Sequence, residues 1–167
     1  CMREYKALKC FDSDHIVKAK LVFDLDSCIV MEDLGDTTLA DRLRSTKDFS
    51  EAEALGIFLD LITGLEHMHE HGWVHNDFKP NNIMLKSNGQ AVIVDLGLAK
   101  QEAEKGGVGG GNMKFASPAY LQFELFSSKS DIYTFGLVML FWHKKLYMSQ
   151  WAEHYKHPTQ DILDFVA

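Results

Sequence analysis

The sequence has few of the features that mark secreted or membrane-spanning proteins. Its 167 residues contain three cysteines, Cys1, Cys10 and Cys28, which are few and odd in number for a disulfide framework. Because no apolar signal segment stands at the N-terminus, we expect free thiols in a reducing compartment, the cytoplasm or the nucleus. The longest apolar stretch, Ile132 to Trp142, is too short to span a bilayer, so no membrane association is predicted.

Positive charge is also scarce. The 17 lysines and arginines are outnumbered by 24 aspartates and glutamates, which leaves a net charge of −7. That balance argues against a general nucleic-acid binder and against a protein that binds anionic membranes. The remaining composition, 46% hydrophobic and 25% charged residues, is that of an average soluble globular protein. The length suffices for one hydrophobic core and is too short for two ordinary domains.

Hydrophobic spacing predicts both helices and strands at the start of the chain. Tyr5, Leu8 and Phe11 recur at helical spacing and are followed by a polar break. The predicted elements are a helix within Arg3–Phe11, strands at Ile16–Phe23 and Cys28–Met31 joined by a turn at Asp24–Ser27, and a short helix at Thr38–Leu43.

The clearest predicted element is a long helix that begins after Ser50. Ser50 and Glu53 form a capping box, and Gly72 supplies a C-cap glycine at the other end. The apolar residues of this helix alternate steps of four and three, as one helical face requires: Ala54, Phe58, Leu61, Leu65 and Met68.

The second half of the chain alternates short strands, a loop and a buried helix. Strands are predicted at Ile83–Leu85 and Ala91–Val94, around a hairpin-type turn at Ser87-Asn88-Gly89. Residues 101–114 carry five glycines and few apolar residues, which favours a mobile loop. The stretch Ile132–Trp142 is apolar nearly all round, which predicts a helix buried on every side. Its large side chains are interpreted as core: Met139, Phe141 and Trp142.

A cluster of polar residues lies between the long helix and the glycine-rich stretch. In the segment His75–Asn82, Asp77 is followed by Lys79 two positions on and by Asn82 five positions on, and Asp95-Leu96-Gly97 follows a predicted buried strand. Phosphoryl transfer needs a carboxylate to orient or deprotonate the attacking hydroxyl and a cation near the moving phosphate. It also needs an amide and a second carboxylate to hold magnesium against the phosphate oxygens. This set of residues therefore points to phosphoryl transfer.

These motifs resemble those of the protein kinase family, whose catalytic loop has the common form Asp-x-Lys-Pro-x-Asn and whose metal-binding motif is Asp-Phe-Gly. The segment Ser117–Glu124 resembles the end of a kinase activation segment, with Phe123 where proline usually precedes the glutamate. The segment Asp131–Gly136 resembles the start of the buried central helix of the large lobe. Because the motifs occur in the family's order, they predict a protein kinase.

The resemblance implies a nucleotide site. Met31 matches the gatekeeper, and the hinge that follows would meet adenine through its backbone near Glu32 and Leu34. Met84 matches the apolar residue below the adenine ring, and Glu4 stands where the family has its helix-C glutamate. The implied cofactors are ATP and Mg²⁺.

The resemblance also assigns roles in catalysis. Asp77 would be the catalytic base or orienting group, and Lys79 would stabilise the transferring phosphate. Asn82 and Asp95 would hold magnesium. Ser117 matches the Ser or Thr that steadies the catalytic aspartate and, with Lys79, favours Ser/Thr specificity. The implied reaction moves the γ-phosphate of MgATP to a hydroxyl of a protein substrate.

The catalytic loop departs from the family at one informative position. Asn76 replaces the arginine that normally pairs with a phosphate on the activation loop. Consistently, the stretch Leu98–Ala116 contains no Ser, Thr or Tyr. We therefore expect any activity to be independent of activation-loop phosphorylation. Leu96 in place of phenylalanine keeps an apolar plug.

The resemblance implies an α+β fold, mainly α, with a kinase-like helical large lobe, a few short strands and most of the small lobe missing. Residues 1–31 would be a remnant of the small lobe with the end of helix C and two strands, 32–37 the hinge, and 38–167 the large lobe, truncated at its C-terminal end. No glycine-rich loop and no strand-borne lysine precede Glu4 in this sequence, so we expect the chain to be inactive alone.

Two other functions compete with that of a Ser/Thr kinase. One is a catalytically dead kinase-like protein that binds or inhibits another kinase or a regulatory protein. Retention of the four polar residues of the phosphoryl-transfer set argues against it: Asp77, Lys79, Asn82 and Asp95. The other is a small-molecule phosphotransferase of the aminoglycoside or choline kinase type, which Lys79 and the segment Ser117–Glu124 disfavour.

A run of histidines suggests a different kind of site. The run consists of His67, His69, His71 and His75, of which the residues at 67, 71 and 75 are spaced by four, as ligands on one helical face would be. However, Gly72 breaks the helix, and the family that the loop resembles uses the histidine at position 75 for packing under the metal motif. A zinc site is therefore disfavoured.

Overall fold

The computed structural model of the chain describes residues 2–23, 28–45, 50–102, 117–118 and 127–144. The described helices are α1 (Met2–Lys9), α2 (Leu39–Arg44), α3 (Glu51–Glu70) and α4 (Ser128–Lys144). The described strands are β1 (Ala19–Phe23), β2 (Cys28–Met31), β3 (Trp73–Val74), β4 (Ile83–Leu85), β5 (Ala91–Ile93) and β6 (Lys100–Gln101), and a 3-10 turn covers Pro80–Asn82. The predicted turn at 24–27, most of the predicted loop at 101–114 and most of the segment 117–124 lie outside the described residues.

The limits of the central helix α3 follow from its local sequence. The Ser50 Oγ accepts the backbone N–H of Glu53 at 3.2 Å, and the Glu53 carboxylate accepts the N–H of Ser50 at 2.8 Å, so the predicted capping box is confirmed. At the other end Gly72 has φ +74° just beyond the C-cap His71, which confirms the glycine stop. The predicted apolar face is buried: Ala54, Phe58, Leu61, Leu65 and Met68.

The described strands form three antiparallel pairs, β1–β2, β4–β5 and β3–β6. The predicted β4–β5 hairpin is confirmed, with Ile83 opposite Ile93 and with Gly89 at φ +88° in the turn. Its second strand ends at Ile93, one residue before the predicted end. The β3–β6 pair was not predicted, because strands of two residues are too short to show a hydrophobic period.

The first predicted strand begins too early. β1 starts at Ala19, whereas Ile16 forms an isolated parallel bridge with Ile93 of β5. The N–H of Val17 donates to the Ile93 carbonyl at 3.0 Å, and the N–H of Ile93 donates to the His15 carbonyl at 2.9 Å. Residues 15–17 therefore pair with a strand far along the chain, which the local alternation of side chains cannot reveal.

Helix α4 extends the predicted helix at both ends, but its predicted burial on every side is wrong. Ile132 is 43% exposed and Met139, predicted as core, is 40% exposed, whereas Val138 is fully buried. The buried side packs against α3, where the rings of Phe58 and Trp142 lie 5.6 Å apart.

None of the helices in the described part of the chain combines the length and hydrophobicity that a membrane span requires.

One close contact sets the distance between α3 and the β4–β5 hairpin. A Cβ on Gly64 would lie 2.8 Å from the Ile93 Cδ1 and 3.1 Å from the His15 carbonyl oxygen, so a side chain does not fit there. One turn earlier, the Asp60 carboxylate accepts the N–H of Ala91 at 2.9 Å and lies 3.4 Å from the His15 Nδ1. The hairpin is thus fixed on α3, and its two ends lead to the polar residues singled out in the sequence.

Candidate active site

Three of the predicted polar residues meet at one carboxylate oxygen. The Lys79 Nζ lies 2.5 Å from the Asp77 Oδ2, and the Asn82 Nδ2 donates to the same oxygen at 3.0 Å. The Asn82 amide also donates to the Asp77 carbonyl at 3.0 Å, which closes the loop on itself. Asp77 is 9% exposed and Asn82 is 6% exposed, so the carboxylate is held at the surface with little freedom. The structure therefore brings together the aspartate, lysine and asparagine that the spacing predicted.

The loop reaches this shape through two local backbone features. Pro80 opens the 3-10 turn, in which the N–H of Asn82 donates to the Lys79 carbonyl at 2.9 Å. Asn76 has φ +67°, in the left-handed region where asparagine is one of the few side chains that fit with little strain. This backbone bend connects β3 to Asp77, which carries the carboxylate.

A buried acid from α4 holds the start of the loop. The Asp131 carboxylate accepts the backbone N–H of His75 at 2.8 Å and that of Asn76 at 3.0 Å. It also lies 2.9 Å from the His69 Nε2 on α3, and it is only 2% exposed. The sequence places Asp131 at the start of a helix and His69 within a run of histidines, and nothing in the local sequence pairs these two positions.

His75 uses both of its ring nitrogens inside the protein. Its Nδ1 accepts the N–H of Asp77 at 3.2 Å, so its Nε2 is the donor to the Val94 carbonyl at 3.2 Å. The ring also packs edge-on against Phe78, with centroids 5.8 Å apart. Within the described ranges no group of three His, Cys, Asp or Glu side chains could hold a metal ion.

A second carboxylate, Asp95, follows β5. Its side chain is exposed and its φ is +61°, a backbone conformation that few non-glycine residues adopt and that is common in functional sites. Leu96 is fully buried, so the predicted apolar plug is confirmed. Burial raises the pKa of the Glu4 carboxyl on α1, and the charge of the nearby Asp95 raises it further. The charges of Glu4 and Asp95 therefore interact in the folded chain, whereas the role of Glu4 as the helix-C glutamate stays a prediction.

The donor set fits a magnesium ion held together with phosphate. Asn82 donates to Asp77 through its Nδ2, which leaves its Oδ1 as an acceptor. Amide and carboxylate oxygens suit Mg²⁺, which usually takes one or two protein ligands and completes its shell with water and substrate phosphates. A cation beside Asp95 would also relieve the repulsion that Asp95 exerts on Glu4.

The predicted adenine-binding residues lie around the segment after β2. The N–H of Glu32 donates to the Lys18 carbonyl at 3.0 Å, and the Glu32 carboxylate accepts the Lys18 N–H at 2.9 Å. The backbone donor of Glu32 is therefore engaged within the protein, so any contact of this residue with a base would use its carbonyl. Leu34 is buried, and half-buried Met84 on β4 bridges to Thr38 at the end of the same segment. Met31, the predicted gatekeeper, is the last residue of β2.

Ser117 lies beside the first turn of α4 and contacts it through its side chain. Its Oγ lies 3.1 Å from the Ser130 Oγ, and the residue is 5% exposed. The predicted contact of Ser117 with Asp77 stays a prediction. Cys10 and Cys28 are both free thiols at the surface, as expected.

Comparison with protein-family models decides the family. Residues 1–165 match the model described as the protein kinase domain. The chain belongs to the protein kinase family. Its described helices and short strands are consistent with part of a kinase fold. Protein kinases in general are phosphotransferases that use ATP and Mg²⁺.

Several curated serine/threonine kinases are similar to this kinase chain. It is 34% identical over 122 residues, 67% of the chain, to a leucine-rich repeat receptor-like serine/threonine-protein kinase of Arabidopsis thaliana, of which it covers 14%. It is 32% identical over 128 residues, 74% of the chain, to serine/threonine-protein kinase PEPKR2 of the same plant, of which it covers 27%. It is 31% identical over 117 residues, 66% of the chain, to serine/threonine-protein kinase PknB of Mycolicibacterium smegmatis, of which it covers 19%. The chain therefore spans between 14% and 27% of the length of these relatives.

Proposed function

We propose that the chain is the catalytic part of a Ser/Thr protein kinase, which transfers the γ-phosphate of MgATP to a protein hydroxyl. The observation that carries this proposal is the convergence of Lys79 and Asn82 on one oxygen of Asp77. A carboxylate fixed in this way can orient the substrate hydroxyl. The Lys79 ammonium beside it can stabilise the negative charge of the transferring phosphate. The serine/threonine kinases among the relatives support the substrate class.

In this function each polar residue of the loop has a separate role. Asp77 holds the attacking hydroxyl and takes its proton, with its orientation fixed by the two hydrogen bonds to Oδ2. Lys79, whose side chain is 20% exposed, reaches from Asp77 toward solvent and would neutralise the transferring phosphate. Ser117 would steady Asp77.

The nucleotide would lie between β4, the segment after β2 and Asp95. Asn82 and Asp95 would hold Mg²⁺, which when bound neutralises and orients the phosphates. The Glu32 carbonyl and the backbone of Leu34 would meet the adenine edge, and Met84 would pack under its ring. The proposal includes the division that the sequence predicted, a large lobe with a hinge and part of a small lobe.

The proposal is tested by separating nucleotide binding from phosphate transfer. We expect Asp95→Asn to weaken Mg²⁺-dependent binding of ATP by about tenfold or more, because it removes a charged ligand. We expect Asp77→Asn to retain ATP binding and to lower transfer to a serine- and threonine-containing peptide library by about 10²- to 10⁴-fold in the whole protein. Asp12→Asn is the matched control, because that side chain is fully exposed and remote from the loop sequence.

Two results would overturn the proposal. One is that the whole protein shows no Mg²⁺-dependent binding of ATP at millimolar nucleotide. The other is that the wild-type protein and its Asp77→Asn variant transfer phosphate equally well. Either result, together with binding of a second kinase by this chain, would favour the catalytically dead interaction protein.

A further inference from the structure

The residues on either side of the glycine-rich segment 103–116 are both attached to the first turn of α4. Before the segment, the Glu102 Oε1 accepts the backbone N–H of Ser128 at 2.9 Å and its hydroxyl at 3.1 Å. After the segment, the Ser117 Oγ lies 3.1 Å from the Ser130 Oγ, within hydrogen-bond distance. A carboxylate at this position is favourable because the first N–H groups of a helix have no partner within the helix and carry partial positive charge.

The same helical turn holds the catalytic loop. Asp131 follows Ser130 directly, and its carboxylate accepts the N–H groups of His75 and Asn76 at 2.8 and 3.0 Å. A shift of this turn would therefore move both Glu102, at the start of the segment after β6, and the backbone that precedes Asp77.

The chain between Asp95 and Glu102 is held by further contacts that need no phosphate. The Asn76 Nδ2 donates to the Leu98 carbonyl at 3.3 Å, and the N–H of Glu102 donates to the Gly72 carbonyl at 2.8 Å. The β3–β6 pair lies between these two contacts. Asn76 occupies the position of the absent arginine, and it binds the segment through its side-chain amide.

We propose that Glu102 is a positioning residue, which fastens the segment after β6 to the first turn of α4 and, through Asp131, to the loop that carries Asp77. This inference rests on the proposed kinase function for its consequence in catalysis, although the attachment itself is independent of turnover. The attachment uses the unmodified glutamate side chain, which accepts both hydrogen bonds from Ser128. It supplies the link that phosphorylation would otherwise have to create.

The first test measures the attachment by hydrogen exchange at single amides of the 167-residue chain. We expect Glu102→Ala to speed exchange at the Ser128 N–H and at the Glu102 N–H by about threefold to tenfold, because a charge-assisted hydrogen bond at a partly exposed site is lost. We expect a smaller increase at the N–H groups of His75 and Asn76. Glu102→Gln keeps an acceptor oxygen and should restore part of the protection. Glu66→Ala, at an exposed position of α3, is the matched control and should change none of these rates.

A second variant tests the same contact from the other side. Ser128→Pro removes both donors, and proline is tolerated at the first position of a helix. It should raise exchange at the Glu102 N–H as Glu102→Ala does, and the double variant should add nothing further, since both changes remove one interaction. Unchanged exchange at Ser128 in Glu102→Ala, or additive effects in the double variant, would overturn the attachment. Unchanged exchange at His75 and Asn76 would overturn its connection to the catalytic loop.

The consequence for catalysis is measured separately in the whole protein. Glu102→Ala should raise the KM for the protein substrate or lower kcat by about threefold to tenfold, while the KM for ATP is unchanged, because Glu102 lies away from the nucleotide residues. Loss of stability alone would lower the amount of folded enzyme and therefore the maximal rate, and it would leave both KM values equal to those of the wild type. If the wild type transfers no phosphate but the exchange results hold, the kinase function fails and the attachment stands; unchanged kinetics in an active protein overturn the positioning role.

Discussion

The Asp131 carboxylate accepts the backbone N–H of His75 at 2.8 Å, across 56 positions of the chain. Because the same carboxylate also binds Asn76 and His69, one buried acid joins α4, α3 and the catalytic loop. The orientation of Asp77 therefore depends on a residue that is remote in sequence and that does not touch the proposed substrate.

We predict that Asp131→Asn destabilises the chain by roughly 1–3 kcal/mol, since the amide group would turn an N–H₂ toward buried donors and leave at least one of them without an acceptor. Urea denaturation followed by circular dichroism measures the change. Asp12→Asn serves as the control, because Asp12 is fully exposed and its ion pair with Lys18 is a 3.6 Å surface contact of little energetic value. Equal stability of the two variants would contradict the anchoring role of Asp131.

Two glycines of α3 should respond to alanine with opposite signs. Gly64→Ala should cost about 1–3 kcal/mol, because its Cβ would lie 2.8 Å from the Ile93 Cδ1 and 3.1 Å from the His15 carbonyl oxygen. Gly56→Ala meets nothing within 4 Å and should stabilise the helix by about 0.5–1 kcal/mol. Denaturant midpoints of the pair give the comparison. A stabilising effect at Gly64 would show that α3 and the β4–β5 hairpin are not in close contact.

Glu4 should make stability depend on pH. Burial and then the charge of Asp95 raise the pKa of Glu4 above its usual 4.5, so the folded state binds the proton more tightly than the unfolded state does. Stability is then fully present below the unfolded pKa and is lost as the pH rises through the folded pKa. Glu4→Gln should therefore melt at a higher temperature than the wild type at pH 7, and the difference should vanish below pH 4.5. A difference that is the same at both pH values would contradict this origin, and Glu66→Gln controls for the change in net charge.

The capping box of α3 should contribute to stability by itself. Ser50→Ala removes the acceptor for the N–H of Glu53 and should cost about 0.5–2 kcal/mol. Thermal or urea unfolding measures the loss. Ser87→Ala, an exposed serine in the β4–β5 turn, is the matched substitution and should change stability by less than about 0.5 kcal/mol. Comparable losses in both variants would mean that the cap has no specific effect.

Features that depend on neighbours along the chain could be predicted from the sequence. The limits of α3 follow from Ser50, Glu53 and Gly72, and the β4–β5 hairpin follows from its turn, because each involves contacts between residues a few positions apart. The set of Asp77, Lys79 and Asn82 was also predictable, since one short loop carries all three. Errors arose where a distant partner competes, as when Ile16 pairs with Ile93 instead of starting β1.

The sequence alone determined the protein family, most of the local elements and the set of polar residues in the loop that carries Asp77, because these depend on residue type and short spacing. Only the tertiary structure decided which remote groups meet: Asp131 with His75, 56 positions away, and Glu102 with Ser128, 26 positions away. It also decided that Ile132 and Met139 face outward on α4. The physical reason is that a buried polar group needs a hydrogen-bond partner, and that partner can come from any part of the packed chain. The hydrophobic pattern of the sequence does not identify which distant group it is.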